Sequence, residues 1–240
     1  MKPIFTKEFD LRTSDFDCRR KLQPASILDL FQAVAGEHAD QIGCGFEDFI
    51  KEKKMWVVVR TKFQIVENPV LFQRVRVTTW PLPPARLSFQ REYKITATDG
   101  TLLVKGTSDW VVMHATERKL VLAKEVYPIT EGFCTETMFE GRNTKLHDFE
   151  TDLPSYILTP GFSQLDMNGH VNNTKYANYV LDAIDLQESE LIDSLQIDFR
   201  HEVQNGQPLT VLHKRNDHGI LAKGVGANNE IMFSCQIILK

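Results

Sequence analysis

The sequence predicts an α+β protein built from two copies of one unit, each an antiparallel sheet wrapped around a single long helix. Three observations carry that prediction. A polar loop feeds an amphipathic helix twice, the two apolar stripes starting at Ile27 and Tyr176, 149 residues apart. Strand-like runs rich in β-branched and aromatic residues follow each helix, about four per half. Turn dipeptides separate those runs, Asp99-Gly100 in the first half and Asn205-Gly206 in the second.

Residues 4–11 alternate between apolar and polar and read as a strand. Beyond the polar stretch 14–22, Ile27, Leu30, Phe31, Val34 and Ala35 recur at i, i+3, i+4, i+7 and i+8, the spacing of a helix with one buried face. Residues 55–66, 72–80, 86–98 and 102–114 are the expected strands of the first half. In the second half Tyr176, Tyr179, Val180, Ala183 and Ile184 repeat the helical stripe, and 194–203, 208–214, 220–226 and 231–239 read as strands. Pairing Asp15 with Asp166 gives a separation of 151, so the two loops are expected to differ slightly in length. Scattered charge and little periodicity mark a linker at 136–149, between an N-terminal domain at 1–135 and a C-terminal domain at 150–240.

The totals exclude several classes. Lys and Arg number 28 against 32 Asp and Glu, a net charge of −4, which gives no reason to expect a nucleic-acid binder. No run is long and apolar enough for stable membrane insertion. The first residues lack the apolar core of a secretory leader. Cys18, Cys44, Cys134 and Cys235 lie far apart, as in a protein with reduced thiols, and no zinc motif is present. The expected compartment is the cytoplasm, or an organelle if a transit peptide precedes this sequence. His114, His147, His201, His213 and His218 show no metal-ligand spacing, so neither a metal nor a cofactor is expected.

The chemistry concentrates in the second loop, Leu165-Asp166-Met167-Asn168-Gly169-His170-Val171-Asn172-Asn173. Each polar residue alone reads as part of a capped turn. Together they place a carboxylate, three amides and an imidazole at the positive end of a helix, a setting suited to an electron-rich carbonyl. Asn172 or Asn173 is positioned to cap that helix. Gly169 supplies a permissive backbone.

Those residues resemble a known family. Asp166-x-Asn168-x-His170-Val171-Asn172-Asn173-x-x-Tyr176 is similar to the acyl-[acyl carrier protein] thioesterases of plants and bacteria. In the first half Ala35-Gly36-Glu37-His38-Ala39, Trp80-Pro81, Arg91, Thr107-Ser108-Asp109-Trp110-Val111 and Thr116-Glu117-Arg118-Lys119-Leu120 extend the likeness over nearly the whole chain. The resemblance implies a tandem hotdog fold and release of a long-chain fatty acid from acyl carrier protein, ending its synthesis. The first half would hold the acyl chain, with Trp56, Trp80 and Trp110 as lining or as plain core. The implied catalytic residues are Asp166, Asn168, His170 and Glu202, the last within Phe199-Arg200-His201-Glu202-Val203. The plant enzymes have a cysteine after that glutamate; here it is Val203, which argues against a Cys–His covalent step.

A thioester already has a good leaving group, a thiol of pKa about 8.5, so the work left is to activate water and hold the oxyanion. Glu202 is the first candidate for the base, with a surface glutamate as its bland alternative. His170 either polarises the thioester or only fixes the loop. Asn168 hydrogen-bonds water or substrate, and Asp166 orients its neighbours, with direct base duty left open. The backbone amides of Val171, Asn172 and Asn173 are the expected oxyanion donors. In the first copy, Asp15, Asp17 and Arg19 are matched to Asp166, Asn168 and His170, and Gln64, Ile65 and Val66 lie near the position of Glu202, so that copy is expected to be inert. His38 reads as structural. An acidic carrier protein needs a basic dock, for which Arg19-Arg20-Lys21, Lys51-Lys53-Lys54 and Arg118-Lys119 are the candidates. Rival readings are a hotdog acyl-coenzyme A thioesterase, a non-catalytic acyl-binding protein, and a hotdog dehydratase, which would pair a histidine with a carboxylate from the other copy; the first helix does carry Glu37 and His38. Association into a homodimer is left open.

Overall fold

The computed structural model describes residues 3–127, 131–141, 143–151, 156–217 and 219–240. His218 and position 142 of the expected linker lie outside them. Two compact units emerge, one of residues up to Gln23 with Ile27–Asn143, the other of Pro24–Ser26 with Thr144–Lys240.

The first unit contains β1 (Phe5–Asp10), α1 (Pro24–Gln41), α2 (Phe46–Lys51), β2 (Lys54–Ile65), β3 (Arg74–Pro81), β4 (Phe89–Ala97) and β5 (Leu102–His114). Its strands lie in the order β1-β3-β4-β5-β2, every neighbour antiparallel. The second unit contains β6 (Tyr156–Leu158), α3 (Lys175–Ala183), β7 (Ile192–Phe199), β8 (Leu209–Asn216), β9 (Gly219–Val225) and β10 (Ile231–Leu239). Its order is β6-β8-β9-β10-β7, again antiparallel throughout. Position for position the two orders are the same. This is the double hotdog fold.

The apolar stripe of α1 is buried as its spacing requires, with Ile27, Phe31 and Val34 at 0–2% exposure. Phe31 stacks on Tyr93 of β4 at 4.3 Å between centroids. It comes so close to β5 that a Cβ placed on Gly106 would lie 2.2 Å from its ring. Gly106→Ala is therefore expected to destabilise the protein by about 1–3 kcal/mol, as overpacking of a filled core does. Denaturant unfolding measures it.

Two expectations need correction. The second helix is not long: α3 has nine residues against 18 in α1. Ile184 leaves it in an extended conformation, and Asp182 and Asp185 put negative charge at the end where the helix dipole disfavours it. The strand expected at 194–203 stops at Phe199, because the amides of Arg200 and His201 both donate to the Met232 carbonyl, at 2.9 and 3.1 Å. That doubled bond turns the chain out of the ladder just before Glu202.

Residues expected to form a loose linker are tied down in both units. Glu92, fully buried on β4, accepts from the Met138 amide at 2.7 Å, the Thr107 hydroxyl at 2.7 Å and the Gln90 side chain at 2.9 Å. Trp80 donates to the Glu136 carbonyl. In the second unit Asp198, 2% exposed, accepts from the Leu146 amide at 2.8 Å, and Lys223 pairs with Asp148. Burial raises the Glu92 carboxyl above its ordinary value of 4.5, outweighing its three hydrogen bonds. A raised folded-state pKa means the native protein holds the proton more tightly. Its stabilising share is thus complete below pH 4.5 and is lost as pH climbs through the raised value. Melting curves across pH should show Glu92→Gln gaining on the wild type as pH rises above 4.5.

Candidate active site

Asp166 organises the loop before α3. Its Oδ1 accepts from the amides of Asn168 at 2.8 Å and His170 at 3.2 Å, while its own amide donates to the His170 carbonyl at 2.7 Å. Gly169, at φ 81°, makes that tight return possible. The loop is then stitched to the chain beyond β7. His170 bridges Gln204, and the Val171 amide donates to the Val203 carbonyl at 2.8 Å. With Glu202 lifted off the sheet, its Oε2 comes within 3.4 Å of His170 Nε2. The two side chains keep 24% and 31% exposure, enough for water and substrate to reach them.

The Asn168 carboxamide lies 3.5 Å from the second oxygen of Asp166. Neither Asn172 nor Asn173 is the cap of α3: the N-cap is Thr174, without a side-chain cap bond, and Asn172 closes an Asx turn ahead of it, its side-chain oxygen accepting the Thr174 amide and hydroxyl at 3.0 Å each. Of the three amides expected to hold an oxyanion, two are engaged. Val171 donates to Val203, and Asn172 to the Gln164 carbonyl at 2.9 Å. Among the described residues only the Asn173 amide of the three has no protein acceptor.

Gln164 and Tyr176 are contributors that sequence reasoning missed. Gln164 accepts the Tyr179 hydroxyl at 2.9 Å and the Asn172 amide, pinning α3 to its loop. The buried Tyr176 hydroxyl accepts from the Val203 amide, and burial outweighs that bond and pushes its pKa far up, so it stays a phenol. The position of Tyr176 in the helical stripe signalled burial, but not that hydroxyl bond. Val203 itself is fully buried. Burial also raises the thiols of Cys44, to about 12, and Cys235, leaving neither available as a thiolate near neutral pH.

The first copy corrects the expected repeat register. Asp17, not Asp15, stands where Asp166 does: its Oδ1 accepts the amides of Arg19 at 2.9 Å and Lys21 at 2.8 Å, and its amide donates to the Lys21 carbonyl. Arg20 takes the left-handed position at φ 60° that Gly169 takes in the second loop. The bridges Phe16–Leu22 and Leu165–Val171 match as well. The offset is 149 throughout, with no change in loop length. Arg19 replaces Asn168 and Lys21 replaces His170. The doubled bond also recurs, Val66 and Glu67 donating to the Leu103 carbonyl, which puts Asn68 rather than Gln64–Val66 at the place of Glu202. A carboxamide and a lysine cannot supply the carboxylate–imidazole pair, and among the described residues the buried Asn68 oxygen has no hydrogen-bond partner.

His38 is buried on α1, its Nδ1 3.0 Å from Arg91 Nη1, while Glu37 points outward to Lys7. Among the described residues no cluster of His, Cys, Asp or Glu could hold a metal ion, and no helix is long and apolar enough to cross a membrane.

Residues 2–129 match the model of the acyl-ACP thioesterase N-terminal domain, and residues 152–238 that of the C-terminal domain. The chain belongs to the acyl-ACP thioesterase family. A chloroplastic palmitoyl-acyl carrier protein thioesterase of Gossypium hirsutum is 26% identical over 99% of the chain and 60% of its own length. A chloroplastic oleoyl-acyl carrier protein thioesterase of Coriandrum sativum is 27% identical over 84% of the chain and 60% of its own length. The chain thus spans about three fifths of these curated relatives. Among solved structures, an acyl-ACP thioesterase from Bacteroides thetaiotaomicron shares the fold with a TM-score of 0.86 at 21% identity, over 99% of the chain and 98% of its own. A 12:0-ACP thioesterase from Umbellularia californica does so at 0.83 and 21%, over 100% and 98%.

Proposed function

We propose that this acyl-ACP thioesterase family member hydrolyses long-chain acyl-[acyl carrier protein] to a free fatty acid and the carrier protein, terminating fatty acid synthesis in the cytoplasm. The observation that carries this reading is the pairing of His170 Nε2 with Glu202 Oε2 at 3.4 Å, on two segments locked together by backbone bonds. Glu202 takes a proton from water as the water oxygen attacks the thioester carbon. The carbonyl becomes an oxyanion facing the Asn173 amide at the positive start of α3. As the intermediate collapses the carbon–sulfur bond breaks, and the departing thiolate takes the proton that Glu202 removed from water, passed across the pair through His170, so that both groups return to their starting state. Asp166 and Asn168 hold this arrangement: the carboxylate fixes the loop, and the carboxamide is offered to water or substrate. The first unit, which lacks the pair, is assigned to holding the acyl chain, with the aromatic cluster of Trp56, Phe89 and Trp110 as its apolar surface.

Release of free thiol from palmitoyl- and oleoyl-acyl carrier protein, beside the matching coenzyme A esters, tests the proposal. Faster release from the carrier-protein esters supports it. Equal or faster release from coenzyme A would replace it with a general acyl thioesterase, and tight acyl binding with no release would replace it with a binding protein.

A further inference from the structure

Glu202 is suspended between two anchors. On the loop side the Val203 carbonyl accepts the Val171 amide at 2.8 Å, and the Val203 amide donates to the buried Tyr176 hydroxyl. On the sheet side the amides of Arg200 and His201 share the Met232 carbonyl. There the Arg200 side chain adds a second hold, its Nη2 donating to Ser234 Oγ at 2.9 Å. Ser234 stands on β10, 4% exposed, in register with Asp198 of β7. The same Nη2 lies 3.5 Å from the Leu146 carbonyl, and Asp198 takes the Leu146 amide, so two side chains two residues apart grip that one residue.

The inert copy lacks the residues that make these holds. Its doubled bond aligns Val66 with Arg200, 134 positions apart. The same offset matches Phe72, at φ 61°, to Gly206, at φ 73°, and the Gln73 amide on the Val70 carbonyl to the Gln207 amide on the Gln204 carbonyl, both at 3.2 Å. Pro69 then stands for Val203, and the loop offset of 149 puts Ile27 at the place of Tyr176. Valine has no hydrogen-bonding side chain, proline no amide proton and isoleucine no hydroxyl. Val66 is 47% exposed instead of tied to the sheet by its side chain. The copy without the carboxylate–imidazole pair is thus also the copy without the means of holding one.

We propose that Arg200 is a positioning residue for the hydrolysis: through Ser234 it fixes the chain that presents Glu202 to His170. This rests on the assignment of Glu202 as the base and adds what sets its place. A charged donor on a buried hydroxyl is a stronger tie than a neutral hydrogen bond. Glu202 Oε2 and His170 Nε2 are 3.4 Å apart, so little slack is left between them. A drift of about 1 Å breaks the contact, and a misplacement of that size costs on the order of 10²-fold in rate.

The test measures kcat, KM and a thermal melt for Arg200→Met, Arg200→Lys and Ser234→Ala on palmitoyl-acyl carrier protein, with the first and last also made in the Glu202→Gln background. Methionine keeps an apolar stem, lysine keeps a cation, and Ser234→Ala removes only the acceptor, which guards against a folding defect at the arginine. Arg200→Met should lower kcat about 10–100-fold with KM little changed, and Arg200→Lys should recover part of the loss. Ser234→Ala should lower kcat about 3–10-fold, the worth of one such hydrogen bond. In the Glu202→Gln background both substitutions should cost no more than about twofold, because no base is left to position. Equal losses in the two backgrounds would mean that Arg200 serves the fold alone. That result, or kcat within about twofold of wild type in both Arg200→Met and Ser234→Ala, would overturn the positioning role while leaving Glu202 as the base. If Glu202→Gln is itself fully active, the base assignment fails and the positioning role fails with it.

Discussion

Glu202→Gln is expected to lower kcat for thioester hydrolysis by about 10²–10⁴-fold, the usual contribution of a positioned general base. Glutamine keeps the shape of the side chain and its capacity to accept a hydrogen bond, but it takes no proton. Glu202 lies beyond the end of β7 and is 31% exposed, so loss of its charge should leave the fold untouched. Steady-state thiol release together with a thermal melt separates the two effects. Activity within threefold of wild type would show that the glutamate is not the base, and Asp166 would then be the carboxylate to examine.

His170→Ala should give a loss of similar size in kcat, with KM little changed. The reasoning rests on how the loop is built. His170 contributes its amide to Asp166, its carbonyl to the Asp166 amide and a backbone bridge to Gln204, none of which needs the imidazole. If the histidine only fixed the loop, alanine would keep all three bonds and most of the activity. A large fall in kcat therefore assigns the ring to the chemistry, whereas a rise in KM alone would assign it to substrate placement. Measuring both constants on one acyl chain decides between them.

Much of the fold was legible because its signals are local. The i, i+3, i+4 stripe beginning at Ile27 needs nothing beyond the helix to be read, and the hairpin at Asp99-Gly100 announces its own turn. The repeat was visible, but its register was not, because Asp15 and Asp17 are equally plausible partners for Asp166 as letters. The hydrogen bonds to Arg19 and Lys21, with the matching Phe16–Leu22 bridge, distinguish Asp17. Position 202 carried a glutamate that type alone would leave on the surface. What brings it beside His170 is a doubled bond to Met232, a residue on another strand and invisible in the local sequence. The oxyanion donors failed for the same reason. An amide at a helix start reads as free until its acceptor is seen, and Val203 and Gln164 had already taken two of three. The tethering of 136–149 was hidden in Glu92 and Asp198, buried carboxylates that give no sign in the sequence of facing a distant backbone amide.

The central claim is that His170 and Glu202 act as one unit on a thioester. A double-mutant cycle on kcat tests it most directly, comparing Glu202→Gln, His170→Ala and the double variant on palmitoyl-acyl carrier protein. Groups that work in a single step are far from additive, so the double variant should be no more than about threefold slower than the slower single variant. A double loss equal to the product of the two single losses would mean that the residues act independently, and the pair would not be the catalytic unit.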